Sequence, residues 1–251
     1  MNDLLLLLLV SMGVNILMFI PAFLMKTDKF TDFSYSLTFI ILTIYLLLNS
    51  NFNTENILLA AMIILWALRL GIFLVARIWK AKKDRRFDAF RESFTGFLKF
   101  WLLQGFAVWV IMIPTIFYYS NNYHKIHYLG FAVWLIGFLV ESIADAQKFK
   151  FKSIKANENK FIKSGLWKYS RHPNYFGEIL CWLGIYLFVF LSLNPIQMGV
   201  ALISPLFIII LLAFVSGLPQ LESHADKKWG QSNEYQDYKK KTSILIPWFS
   251  K

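Results

Sequence analysis

Ser164-Gly165-Leu166-Trp167-Lys168-Tyr169-Ser170-Arg171-His172-Pro173-Asn174-Tyr175-Phe176-Gly177-Glu178 runs directly into Ile179–Leu193, a stretch without a single charged residue. A proline biases the residue before it away from the helical region and is itself suited to a helix's first turn. A helix is therefore predicted to start at Pro173, and Pro173–Leu193 is long enough to cross a bilayer core, which takes about 20 mostly apolar residues. The fold follows from this reading: a membrane helix begins at a turn crowded with Lys168, Arg171 and His172.

Six further runs have the same character. They are Leu4–Met25, Phe33–Leu48, Ile57–Trp79, Phe97–Tyr119, Tyr128–Asp145 and Met198–Gly217. The expectation is an all-α, polytopic integral membrane protein with seven spans in one domain over residues 1–251, followed by a tail over 218–251. Composition agrees. The chain is 57% hydrophobic and 16% charged, whereas soluble domains carry about 25% charged residues, so a soluble globular protein is excluded. The opening run has Asp3 instead of a basic leader and no small-residue cleavage site, so it reads as the first span and not as a signal peptide. Cys181, the only cysteine, supports neither a disulfide framework nor a cysteine-based zinc site, and no metal is expected.

The net charge of +11 is not spread evenly. Alternating the loops across a bilayer puts 24 of the 26 Lys and Arg on one side, leaving Lys125 opposite and Arg69 inside the third span. By the positive-inside rule that basic face is cytoplasmic, with the N-terminus outside and the C-terminus inside. Cations placed between apolar runs do not form a nucleic-acid-binding surface. They do attract anionic lipid headgroups.

Polar side chains within the spans ask for partners, because Arg at a helix centre costs about 2.5–3.5 kcal/mol on insertion scales. Arg69 in Leu65-Trp66-Ala67-Leu68-Arg69-Leu70-Gly71 is one such residue, Gln104 is another, and Glu141 and Asp145 share a face of the fifth span at i and i+4. At the start of the sixth span, free backbone N–H groups beside Lys168 and Arg171 form a natural anion site. Asn174 and Glu178, again i and i+4, add donors and acceptors of the kind that a carboxamide and a ribose require. Residue by residue, a helix cap, a loop hydrogen bond or a polar clamp between helices is the competing explanation, but a merely structural helix start needs no Arg, His, Asn, Tyr and Glu so close together.

The string Gly165–Glu178 resembles the signature of the steroid 5-alpha-reductase family, most closely a bacterial branch classed as a domain of unknown function. Leu65–Gly71, Asp84-Arg85-Arg86-Phe87-Asp88, and Ser216-Gly217-Leu218-Pro219 running to Leu245-Ile246-Pro247-Trp248 resemble the same branch, so the likeness covers roughly residues 30–249. It implies a seven-helix membrane reductase that takes NADPH from the cytosol and passes hydride to the β-carbon of a carbonyl-conjugated C=C bond. The substrate implied is lipophilic, steroid- or isoprenoid-like, and enters from the bilayer. Carried over by position, Arg171, Asn174 and Glu178 are the core of the cofactor site, supported by Tyr169, His172 and Tyr175. Asp145 matches a family carboxylate near the cofactor. Lys152 and Lys80 stand where the family has phosphate-binding arginines, and Lys lacks the bidentate fork of Arg.

The chain departs from the family at the pair that polarises the carbonyl. Where the family has a Glu early in the second helix and a Tyr on the third, this sequence has Asp32 with Tyr35, and Trp66, which donates no proton of that kind. Asp32 and Tyr35 are the catalytic candidates, with Trp66, Arg69 and Glu141 on the substrate side. Asp32 is equally readable as a helix N-cap. The Arg-His-Pro helix start also resembles the isoprenylcysteine carboxyl methyltransferases, whose S-adenosylmethionine has no phosphates for the basic loops to meet. A transporter or lipid-binding protein is the third reading. The charged, aromatic stretch Glu222–Lys241 is expected to form an interfacial helix or lid, and the oligomeric state is not legible.

Overall fold

The computed structural model of the chain describes residues 3–27, 29–81, 93–121, 125–215 and 217–248, with the side chains of 77–81 outside the description. The Lys80 side chain, the Asp84–Asp88 segment and Ser216 therefore lie outside the described residues. Among those described there is no strand, and seven helical stretches are long and apolar enough to cross a membrane. The all-helical, polytopic membrane protein expected from the sequence is borne out.

The helices are α1 (Asp3–Leu24), α2 (Lys29–Leu48), α3 (Thr54–Ala81), α4 (Phe94–Ser120), α5 (Tyr128–Ser153), α6 (Pro173–Val189), α7 (Pro195–Ala201), α8 (Ile203–Ile210), α9 (Leu218–Trp229) and α10 (Asn233–Lys241). Three helices differ in extent from the expected spans. The helix that carries the expected fifth span Tyr128–Asp145 continues two turns to Ser153, where Lys150 and Lys152 in its last turn complement the negative end of the helix dipole. The seventh span is broken after α7. Pro205 has no N–H to give and crowds the carbonyl four residues back, so the chain restarts as α8 and then loosens into a π-helical turn over Leu211–Val215. The expected interfacial helix is two helices, parted where Gly230 ends α9 and the Ser232 hydroxyl caps α10 by accepting from Tyr235 N.

The chain forms two compact units, Met1–Ile126 with Val189–Ser204, and His127–Phe188 with Pro205–Lys251. In the first, α1, α2 and α4 pack around Phe19, Ala22, Phe97 and Trp101. A buried polar network ties the same three helices together. Gln104 Nε2 donates to Asn15 Oδ1 at 2.8 Å, to Ser34 Oγ at 2.8 Å and to Thr31 O at 3.1 Å, and Ser11 Oγ donates to Gly105 O at 2.7 Å. In lipid such bonds contribute about 0.6 kcal/mol each on average. The Gln104 amide thus clamps helices.

In the second unit α5 and α6 cross in close contact. A Cβ on Gly137 would stand 2.7 Å from Cys181 N and Gly177 O, and one on Gly177 would stand 2.6 Å from Glu141 N. Only glycine permits that approach. It seats Glu141 of α5 against the turn of α6 that carries Asn174 and Glu178.

Candidate functional site

The segment leading into α6 is held from both sides within the second unit. From α5, Gln147 Oε1 accepts from Leu166 N at 3.0 Å and Ala144 O accepts from Trp167 Nε1 at 3.0 Å. Gly165 adopts a left-handed φ of +64°, where a side chain would be strained and would run into Gln147. From the C-terminal segment, Tyr238 Oη donates to Trp167 O at 2.6 Å, Arg171 N to Ser243 O at 2.8 Å, Ser170 Oγ to Leu245 O at 2.7 Å, and Trp248 N to Tyr169 O at 3.1 Å. The backbone of 167–171 is thereby fixed before the helix begins.

At the helix start, Ser170 Oγ accepts from His172 N at 3.1 Å, and the His172 ring lies 5.7 Å from that of Tyr175 at an interplanar angle of 23°. His172 Nε2 is 2.8 Å from Glu222 Oε1, and Arg171 Nη1 is 2.9 Å from Glu222 Oε2. The Arg171 contact is an ion pair by distance, yet Nη1 makes no hydrogen bond to that oxygen, so the alignment is poor. Lys239 stands 3.7 Å behind Glu222 and also grips Asp226 at 2.6 Å. Burial pulls the His172 imidazole below its ordinary 6.5, an effect the Glu222 hydrogen bond opposes and Lys148 and Arg171 reinforce. Burial also pushes the Tyr235 hydroxyl up to about 12.

Four polar atoms at this helix start are buried without a hydrogen-bond partner: Arg171 Nε and Nη1, which are donors, and His172 Nδ1 and Asn174 Oδ1. An orphaned buried polar group costs about 1–3 kcal/mol, so a cluster of them makes this helix start a candidate site for a polar ligand. The adjoining cavity of about 150 Å³ is lined by Arg171, His172 and Glu222 and walled by Phe161, Trp167 and Tyr235. Lys148, Lys152 and Lys160 also line it, with Lys148 Nζ 4.5 Å above the Trp167 ring. Pockets for drug-sized ligands run to about 300–1,000 Å³, so this cavity has room for only part of such a molecule.

Of the residues singled out in the sequence, Arg171, His172, Asn174, Tyr175 and Glu178 fall within two turns of one another, and Lys152 lines the cavity. Glu141 and Asp145 are buried on α5, with Cys181 Sγ donating to Glu141 Oε2 at 3.9 Å. Tyr169 is half-buried, and its carbonyl holds Trp248. Asp32, Tyr35, Trp66 and Arg69 belong to the other unit. There Asp32 lies inside the first turn of α2 and not at its cap, Tyr35 meets Phe39 edge-on at 5.1 Å, and Phe39 meets the fully buried Trp66 at 5.2 Å. Arg69 is half-buried.

Sequence reasoning missed Glu222. It lies one turn past the last apolar run, and no spacing rule links it to His172, 50 residues earlier.

A family model described as "Protein of unknown function (DUF1295)" matches residues 18–242. The rat (Rattus norvegicus) protein "3-oxo-5-alpha-steroid 4-dehydrogenase 1" is 26% identical over 157 residues, covering 62% of this chain and 51% of the rat protein. The chain thus spans about half the length of the curated relative it matches. No solved structure matches.

Proposed function

The chain belongs to the family described as "Protein of unknown function (DUF1295)", and we propose that it is a membrane-bound, NADPH-dependent reductase. It acts on a carbonyl-conjugated C=C bond in a lipophilic, steroid- or isoprenoid-like substrate. The observation that carries the proposal is the orphaned set at the start of α6, beside a cavity lined by aromatic rings and lysines. Arg171 Nε is a donor with no acceptor and its Nη1 is poorly aligned on Glu222, while His172 Nδ1 and Asn174 Oδ1 offer acceptors with no donor. A molecule carrying phosphates together with hydroxyls or a carboxamide answers all four, as a nucleotide cofactor does. The sequence resemblance supports this reading, and the rat relative's name, a 3-oxo-5-alpha-steroid 4-dehydrogenase, agrees with an oxidoreductase.

When bound, NADPH would supply a hydride to the substrate's β-carbon and leave as NADP+, and a proton from solvent would complete the α-carbon. Arg171 and the α6 N-terminus would hold its phosphates, aided by Lys152 and Lys148 on the cavity wall. Asn174 and Glu178, one turn apart, would orient the carboxamide and ribose. From the sequence resemblance alone, Tyr35 Oη, or the Asp32 carboxyl in its protonated form, is the candidate to donate a hydrogen bond to the substrate's carbonyl oxygen and to stabilise the negative charge that develops there. The basic face is cytoplasmic in this reading, with the N-terminus outside, so cofactor arrives from the cytosol and substrate from the bilayer. S-adenosylmethionine fits less well, because its sulfonium cation would face Lys148, Lys152 and Lys160 with no phosphate to offset them.

The test is label transfer. NADPH deuterated at the transferable position is incubated with the protein in lipid nanodiscs and a panel of lipophilic enones, and the products are read by mass spectrometry. Deuterium at the β-carbon is expected. Deuterium at the carbonyl carbon, or methyl transfer from S-adenosylmethionine under the same conditions, overturns the assignment.

A further inference from the structure

Glu222 stands outside the motif at the start of α6, and it is the residue that touches both central side chains of that motif. Its carboxylate reaches in from α9, and the side chains of Glu222, Arg171 and His172 keep only 16%, 11% and 7% of their surface exposed. We propose that Glu222 is a positioning residue for the cofactor site. It fixes the His172 imidazole with Nε2–H donated to its carboxylate and Nδ1 presented as an acceptor, and it orients the Arg171 guanidinium so that Nε remains for an anionic ligand. The inference rests on the reading of this site as an NADPH site.

The geometry separates positioning from simple charge neutralisation. A carboxylate whose task is to neutralise an arginine pairs through both oxygens in a parallel fork. Here the two oxygens are divided, with Oε1 at 2.8 Å from His172 and Oε2 at 2.9 Å from Arg171. Lys239 braces the same carboxylate from α10 at 3.7 Å, so its position does not depend on Arg171 alone. An ionised carboxylate only accepts, so His172 Nε2 carries the hydrogen, and in the neutral ring Nδ1 is then a bare lone pair. That atom is buried without a partner. The Tyr175 ring, 5.7 Å away, limits the imidazole's freedom to turn. One acidic side chain thus sets the hydrogen-bonding polarity of two ligand-facing groups.

A protonated Nδ1 becomes a donor, so a ligand hydroxyl or amide that donates to it is lost on acidification. The charged groups facing His172 are Glu222 from α9, Lys148 from α5 and the neighbouring Arg171, with Lys239 of α10 behind Glu222. Glu222 favours the imidazolium and the three cations oppose it. Removing the Glu222 charge therefore moves His172 protonation to lower pH, which a merely structural role would not do.

The experiment measures NADPH affinity of the full chain in detergent by tryptophan fluorescence, between about pH 5 and pH 8 where histidine titrates. Glu222→Gln keeps the size and the acceptor for His172. It should melt near the wild type without ligand, bind NADPH roughly tenfold more weakly at neutral pH, as for loss of one charge-assisted contact, and show its acid limb at lower pH. His172→Asn, which can donate to Glu222 through Nδ2 and accept through Oδ1, should lose the acid limb and serves even if the Gln variant folds poorly. Unchanged affinity and an unmoved acid limb in Glu222→Gln overturn the proposal. So does tighter binding, which would make Glu222 an occupant of the anion's place, and so does a wild-type acid limb in His172→Asn. A wild type that binds no NADPH overturns the cofactor reading itself, an outcome distinct from the other three.

Discussion

Replacing Gly177 by alanine tests the α5–α6 crossing that seats the proposed cofactor site. A Cβ there would stand 2.6 Å from Glu141 N, 2.7 Å from Glu141 Cβ and 2.7 Å from Gly137 O. Two of those three atoms are backbone, so relief requires α5 and α6 to separate by most of an ångström. Overpacking of this kind costs about 1–3 kcal/mol, against which alanine regains about 1 kcal/mol of helix propensity over glycine. Gly199 on α7 is the internal control: it is also helical, but nothing lies within 4 Å of its Cβ position, so Gly199→Ala keeps the propensity gain alone. For a chain of this size 1 kcal/mol moves Tm by about 2–4 °C. Thermal unfolding in detergent should therefore show Gly177→Ala melting several degrees below the wild type and Gly199→Ala a few degrees above it. Moving the helices apart also shifts Asn174 and Glu178 relative to Glu141, so Gly177→Ala should weaken NADPH binding as well. A Gly177→Ala variant raised in stability as much as Gly199→Ala would refute the close crossing.

Gln104→Leu removes a donor that serves Asn15, Ser34 and Thr31; at the scale of buried bonds in lipid it should cost about 1–2 kcal/mol in thermal unfolding and leave NADPH affinity unchanged. Because burial holds the folded-state His172 below 6.5, the unfolded chain binds the proton first. Stability is complete above that value and declines as pH falls from it toward the lowered folded value. His172→Gln should remove this part of the acid sensitivity in melting curves. Lys152→Ala should weaken NADPH binding and flatten its dependence on salt in fluorescence titrations, since it removes one cation from the cavity wall.

The fold was legible because a bilayer imposes a simple demand, about 20 apolar residues per crossing, and the described residues meet it seven times. What escaped were features that charge or a single residue disguises. The two extra turns of α5 read as loop because Lys148, Lys150 and Lys152 look solvated, although a helix C-terminus welcomes them. The break between α7 and α8 was written in Pro205, whose effect on the preceding turn is local and was lost in a long apolar run. At the candidate site, Arg171, His172, Asn174 and Glu178 were legible because they are contiguous in sequence at a helix start. Glu222, Lys239 and Ser243 were not, since their approach to that start depends on how α9, α10 and the segment after them fold back within the second unit. The glycine pairing of Gly137 with Gly177 needs both helices in register before it has meaning.

The central claim is that the start of α6 binds a phosphate-bearing nucleotide cofactor. It is tested most directly by titrating the purified protein with NADPH and, separately, with S-adenosylmethionine, following tryptophan fluorescence and thermal stability. The account predicts that NADPH stabilises the protein, that S-adenosylmethionine does not, and that Asn174→Ala and Glu178→Ala abolish the effect while still folding. Stabilisation by S-adenosylmethionine alone, or a folded protein that responds to neither, would contradict it.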